Sequence, residues 1–390
     1  MTDRRLLPRI PTSVAIKAAL VLFWSRLGSL NALEGVARAR FWSRWLKGPL
    51  CSVDTVSDIH AVVDVEGLRE GIHHVYERLK RNKALPDVAG LAVAVLDGHE
   101  SHSSYLRHCA GCLGRTIHTP KGDRVQYYHR NVTLMLLAGA PRGRPPIRLL
   151  LDHEPQRPGE DEVTAAMRLL QRVLVRYPRA FDVVLADGLY ATAPFFNFLL
   201  DRRKQVLAVL KDERRNIYQD VAGLFGRVVP RAGEHRGRQC RWWDFPELVS
   251  WPQVKVPLRV IRSQETYTVR RQLTHQSTQE TSDWIWVTTL SPSQATTERA
   301  VCLGHQRWDV ENYGFNELVN DWGADHVFRH DPNAIEAFLL VAFLAYNLFH
   351  AFLALNLKPQ IRRGRSQIFW VRLVSAELYC DPGIGGLDSS

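Results

Sequence analysis

Gly90-Leu91-Ala92-Val93-Ala94-Val95-Leu96-Asp97 is the stretch on which the fold turns. With Ala89 ahead of it, residues 89–96 form a short and nearly unbroken apolar run. It is too short for most globular helices and suits a strand buried on both faces. The run stops at an acid. A second mostly apolar run, Phe181 to Ala186, stops at another, Asp187. In open α/β sheets, ligands gather at the carboxyl ends of such strands. The two aspartates, 90 positions apart, are therefore expected as neighbours on one sheet edge.

Working outward, residues 131–138 and 147–152 read as two further strands, joined by the Gly/Pro/Arg-rich turn 139–146. Pro158-Gly159 opens a helix over 160–177, with Glu160, Asp161 and Glu162 in its first turn, where carboxylates complement the helix dipole. A helix at 192–203 and a strand at 205–210 follow. Three strands and then alternating helix and strand predict an α/β fold, a mixed sheet flanked by helices. From 222 to 300 Arg, Trp, Pro and Thr rise. Alternating segments at 256–263, 266–273 and 284–290 mark a β-rich insertion. Helical spacing returns at 307–322 and 334–357. Before all this, 13–26, 29–46 and 66–82 carry apolar residues at three- and four-residue intervals, with Pro49 and Ser52 to Thr55 supplying a stop and an N-cap. The expected division is a helical N-terminal domain at 1–86, a first core segment at 87–221, the insertion at 222–300, a second, helical core segment at 301–358, and a tail at 359–390.

The chain has 390 residues and a formal charge of +11, so its natural partner is an anion. Basic surfaces bind polyphosphates because each neutralised phosphate releases condensed counterions. Composition alone does not separate DNA from RNA or from an acidic membrane. Residues 1–86 hold 14 Lys and Arg against 8 Asp and Glu, which fits either a DNA-reading domain or a helical bundle with a solvated basic face. Six cysteines, mostly far apart, argue for a reducing cytosol rather than a disulfide framework, hence a cytoplasmic protein. The apolar run Ala18 to Trp24 is short and has no cleavage-site pattern, so an amphipathic helix is expected rather than a secretory signal. Ala337 to Leu355 is 19 residues without a formal charge, long enough for a membrane span. Tyr346, Asn347 and His350 interrupt it, and a buried core helix is the expectation.

Phosphodiester cleavage benefits from divalent cations held by carboxylates gathered from separate elements. Asp97 and Asp187 supply two. The third candidate is Glu311, in Arg307-Trp308-Asp309-Val310-Glu311-Asn312. On a helix Arg307 and Glu311 share a face, and spacing alone also fits a surface ion pair of a few tenths of a kcal/mol. This set of residues resembles the DDE transposases of bacterial insertion sequences, in particular the insertion-sequence-four group. That group has an RNase H-like core with a β-strand insertion. Its first Asp lies on the first strand, its second follows the fourth, and its Glu lies beyond the insertion in Tyr-x2-Arg-x3-Glu-x6-Lys. Asp97, Asp187, Arg307 and Glu311 match, whereas the signature Tyr falls on Gly304 and the Lys on Leu318, so those two DNA-contact roles are not carried over.

The resemblance covers roughly residues 50–357. It implies that Asp97, Asp187 and Glu311 hold two Mg²⁺ ions, with Mn²⁺ as a substitute. Those ions would serve endonuclease nicking at the transposon ends and then transfer of the freed 3′-hydroxyl into target DNA. Arg307 would contact phosphate near the cut. The partners it implies are double-stranded DNA, as terminal inverted repeats and as target, and a second copy of the chain in the paired-end complex. A transposase-derived DNA-binding protein without catalysis, or a metal-dependent nuclease without strand transfer, are the competing readings.

Three more features bear on chemistry. Trp284, 27 positions before Glu311, suits stacking on a flipped base, or else core packing beside Trp286. Lys211, Arg214 and Arg215 follow a strand end and read as a DNA grip or a solvated cluster. His108-Cys109-Ala110-Gly111-Cys112, with His118 beyond, has zinc-like spacing; Cys109, Cys112, His108 and His118 are a candidate set for a structural Zn²⁺, with His102 as an alternative, against the reading that a short loop with one CxxC binds nothing. Asp152 and Glu154 are acidic as well, but their place at a strand end favours a structural role.

Overall fold

The computed structural model describes residues 1–88, 90–140, 145–271 and 276–379. Ala89, the middle of the 139–146 turn, the end of the 266–273 segment and the last part of the 359–390 tail, with Cys380, lie outside the described residues. The chain divides into two compact units. One comprises Met1–Pro86, Gly98–Tyr177 and the chain from Asn312 onward; the other comprises Asp87–Asp97 and Pro178–Glu311.

The elements run in chain order as follows. Five helices come first: α1 (Thr12–Trp24), α2 (Leu30–Gly35), α3 (Phe41–Leu46), α4 (Val53–Val62) and α5 (Val65–Arg81). Strands β1 (Val93–Ser104), β2 (Leu113–Ile117), β3 (Arg124–Leu137) and β4 (Arg148–Pro155) precede α6 (Glu162–Arg176). Then come β5 (Val183–Ala186), α7 (Ala193–Leu200), β6 (Gln205–Val209) and α8 (Asn216–Phe225). The insertion holds β7 (Arg231–His235), β8 (Arg238–Leu248), β9 (Leu258–Arg270) and β10 (Ser277–Thr288). Helix α9 (Thr297–Gln306), a π-helical segment Val310–Phe315, α10 (Asn316–Asn320), α11 (Pro332–Leu355), α12 (Pro359–Arg362) and α13 (Gln367–Tyr379) complete the chain.

In the first unit β3 pairs antiparallel with β2 on one side and β4 on the other, with a bulge between Leu134 and Met135. The second half of β1 runs beside β3. Helices α5, α6 and α11 cover β4, and α1, α4 and α5 pack on α11. Caps match the sequence: Ser52 Oγ accepts from Thr55 N at 3.3 Å and Asp161 Oδ1 from Thr164 N at 2.7 Å. Helix α1 departs from the amphipathic expectation. Ala15 to Phe23 are buried except Lys17, because α1 is enclosed by other helices rather than lying at a surface. Helix α11 is the one described helix long and apolar enough to cross a bilayer, and most of it is buried within the protein. Its Asn347 amide closes two hydrogen bonds with the Leu150 backbone on β4, accepting at 2.9 Å and donating at 2.8 Å. A polar residue in mid-helix is thereby satisfied by a strand.

In the second unit the first half of β1 pairs parallel with β5, and β5 parallel with β6. β6 then pairs antiparallel with β10, and β10–β9–β8–β7 continue as an antiparallel meander. The insertion is therefore not a separate layer, since its last strand joins the core through Trp286 opposite Val209. Helices α7, α8 and α9 pack on these strands. The fold is α/β, with parallel and antiparallel pairing flanked by helices, consistent with an RNase H-like transposase core.

Candidate active site

Val93 to Leu96 and Val183 to Ala186 are almost wholly buried, as strands covered on both faces are. Their register is fixed by the pairs Val93–Val183, Ala94–Val184 and Val95–Leu185. Continued by two residues, that register would set Asp97 level with Asp187, which directly follows β5; the sequence expected a strand end at Asp97, but β1 runs on to Ser104. Neighbouring strands lie about 4.8 Å apart, so the two carboxylates emerge side by side. Asp187 also caps the turn that follows, its Oδ1 accepting from Leu189 N at 2.7 Å.

The third acid comes from the chain after α9. The expected continuous helix over 307–322 is broken: α9 ends at Gln306, a turn follows, then the π-helical segment and α10, and Glu311 lies in the first turn of the π segment. Such widened turns recur at functional sites because they re-aim side chains out of the helical repeat. Arg307 Nη1 donates to Glu311 Oε1 at 2.7 Å and to Asp97 Oδ2 at 3.3 Å. One buried guanidinium thus joins the first and third acids. Glu311 is 44% exposed, so this pair is not a desolvated one.

These donors suit a hard divalent ion: they are all oxygen, partly accessible, and two of them already bracket one positive charge. They do not form a closed cage, because among the described residues the group whose ligand atoms all lie within 4.8 Å of one another is made of Cys and His.

Behind Arg307 lies an aromatic wall. Its guanidinium sits 4.5 Å from the Trp308 ring centroid, and Trp284 meets Trp308 edge-on at 4.6 Å and Trp286 at 6.4 Å. Trp284 is half-buried in this cluster, and its stretch of β10 borders a cleft lined by Lys211, Tyr218, Phe225 and Arg262. Lys211 is exposed, and its aliphatic stem lies beside Gly188, the residue after Asp187: a Cβ built on Gly188 would be 3.5 Å from Lys211 Cγ and Cδ. Arg214 pairs with Asp212 at 3.0 Å, and Arg215 stacks over Trp251 at 4.7 Å. Those two arginines are therefore partly committed to local contacts.

Gly304, standing at the signature Tyr position, has a packing cause. A Cβ there would lie 2.4 Å from the Trp286 indole, so the ring occupies the space a side chain would need. Leu318, at the Lys position, is buried. Sequence reasoning missed a buried support for the wall. His305 Nε2 lies 2.5 Å from Glu265 Oε1, Arg238 pairs with the same carboxylate at 3.1 Å, and Ser263 donates to it. Burial alone would raise the Glu265 carboxyl, but these donors outweigh it and hold it below the usual carboxylate range. The signal lay in β9, where Ser263 and Glu265 share a strand face with a period of two.

The remaining acids have other work. Asp152 is held by Arg69 Nε at 3.0 Å and Arg172 Nε at 2.8 Å, and Glu154 by Arg168 Nε at 2.5 Å. Glu160 pairs with Arg168 and Glu162 with Arg130. The zinc ligand set requires correction. His108 stacks on Tyr127 at 4.7 Å and His118 bonds Asp123 on an exposed hairpin, so neither reaches the Cys109–Cys112 pair. The directions of β2 and β3, which the sequence did not mark, carry them away.

No curated protein matches the chain. The model of the transposase DDE domain matches residues 128–348, a span that contains Asp187, Arg307 and Glu311 and begins after Asp97. The match covers more than half of the sequence and the strand arrangement agrees with it; the chain belongs to the transposase DDE domain family.

Proposed function

We propose that the protein is a cut-and-paste DNA transposase whose catalytic acids are Asp97, Asp187 and Glu311. The observation that carries this reading is the Arg307 guanidinium joining Asp97 to Glu311, supported by the parallel pairing of the strand that bears Asp97 with the strand that leads into Asp187. The three carboxylates would hold divalent metal, Mg²⁺ or Mn²⁺. When bound, it supplies Lewis-acid stabilisation of the oxygens entering and leaving phosphorus.

The reaction is in-line displacement. A water oxygen bonds to phosphorus as the bond to the 3′-oxygen breaks, leaving a 3′-hydroxyl and a 5′-phosphate. That hydroxyl then attacks a phosphorus of target DNA and displaces its 3′-oxygen. Arg307 orients Asp97 and Glu311 and offers its remaining donors to phosphate. Lys211, beside Gly188, binds backbone phosphate close to the cut. Trp284, in the aromatic wall beside Arg307, would offer a stacking face to a flipped base. The basic surplus of residues 1–86 adds grip that does not depend on sequence. Two copies joined on paired terminal inverted repeats would act together.

The test is an assay of the full chain with Mg²⁺ on labelled ends of its own element. Cleavage with joining is expected. Nicking without joining would favour a plain nuclease, and binding without cleavage a non-catalytic DNA-binding protein. Asp97→Asn, Asp187→Asn and Glu311→Gln should each abolish cleavage while leaving end binding intact. Near-normal cleavage by any of them removes that residue from the site.

A further inference from the structure

We propose that Cys109, Cys112, His129 and His330 form a structural zinc site in the first unit. The two sulfurs are 3.7 Å apart, and both cysteines are free. His129 Nε2 lies 3.3 Å from each sulfur, and His330 Nε2 lies 3.4 Å from Cys112 Sγ. All four ligand atoms fall within 4.8 Å of one another. Tetrahedral zinc, with bonds of ~2.3 Å to sulfur and ~2.05 Å to nitrogen, requires S···S of ~3.8 Å and S···N of ~3.6 Å. The four separations just given fall within a few tenths of an ångström of those values, and the other two lie within 4.8 Å. Two thiols and two imidazoles around one point, in tetrahedral spacing, are a donor set for zinc rather than for a hard cation.

The local backbone is shaped for the task. Between β1 and β2 the Cys109–Cys112 turn closes with Cys112 N donating to Cys109 O at 3.1 Å. Cys109 N donates to Cys112 Sγ at 3.3 Å, which fixes the second sulfur against the turn. A Cβ on Gly111 would touch His129 Cε1 at 3.4 Å, so the turn lies directly on the imidazole. His129 is buried on β3, and His330 precedes the N-cap of α11, Asp331. The ion would pin an irregular loop and the start of α11 to β3, joining residues 218 positions apart. Closing so long a loop contributes to folding, because the unfolded chain has no preformed site.

The experiment uses the untagged full chain, purified without metal resin. Metal analysis should find one zinc per chain, and chelation should lower the melting temperature by roughly 5 °C or more. Cys112→Ser and His330→Ala should lose at least nine-tenths of the zinc, while His108→Ala and His118→Ala keep it. If the ligand variants fail to fold, cobalt exchanged into the unaltered chain decides the matter: intense tetrahedral bands with sulfur-to-metal charge transfer are expected. Absence of zinc together with a weak octahedral cobalt spectrum overturns the site. So does stoichiometric iron, or a thiol count showing Cys109 and Cys112 oxidised to each other.

Discussion

The Arg307 guanidinium reaches the Asp97 carboxylate at 3.3 Å from 210 positions away in the chain, while holding Glu311 on its own segment. Both contacts run through Nη1, which the longer, rigid guanidinium holds between the two acids; the shorter, flexible lysine side chain would not fix an ammonium there. Arg307→Lys should therefore lower the cleavage rate by on the order of 100-fold, the scale of losing one positioned donor. End binding and the melting temperature should change little. A rate within threefold of the unaltered protein, measured in single-turnover assays, would show that this bridge is dispensable.

Trp286 explains why glycine stands at position 304. Its indole would lie 2.4 Å from any added Cβ, and the ring is buried, so it has little room to retreat. Gly304→Ala should destabilise the protein by about 1–3 kcal/mol, the usual cost of overpacking. Gly304→Tyr, which restores the family signature, should do worse. Trp286→Leu in the Gly304→Ala background should recover part of the loss in urea unfolding. An additive double mutant would locate the strain elsewhere.

Asn347 is the polar centre of an otherwise apolar helix, satisfied by the Leu150 backbone. Asn347→Leu leaves a buried N–H and a buried C=O without that partner. A loss of about 2–4 kcal/mol in denaturant midpoint experiments is expected. An unchanged midpoint would mean the strand finds other partners.

His60 is fully buried, stacked on Phe338 at 3.9 Å, with Nδ1 donating to the Val56 carbonyl and Nε2 without a hydrogen-bond partner among the described residues. Burial pushes its pKa down to about 4, although the bond to the Val56 carbonyl works the other way. The native state thus prefers the neutral ring, while the unfolded chain takes up a proton below its ordinary pKa of about 6.5. The sign follows: the contribution is whole above pH 6.5, falls as pH drops toward 4, and is gone below that. At about 1.4 kcal/mol per pH unit, His60→Phe should flatten the acid limb of the stability curve by up to about 3 kcal/mol. Identical limbs for both proteins, measured by urea unfolding across pH 4–8, would reject this account.

Much of the fold was legible in the chain because buried strands leave an uninterrupted apolar record. Val93 to Leu96 and Val183 to Ala186, which lead into Asp97 and Asp187, are nearly solvent-free in the structure, and the caps at Ser52 and Asp161 lie where short polar side chains precede helical spacing. What local pattern could not carry was long-range geometry. The break of the 307–322 helix into a π segment, the enclosure of α1, and the joining of β10 to β6 depend on neighbours far away in sequence. The Cys109–Cys112 spacing marked half of a metal site. Its imidazoles come from β3 and from the approach to α11, because strand direction and helix packing, not proximity in the chain, bring donor atoms together.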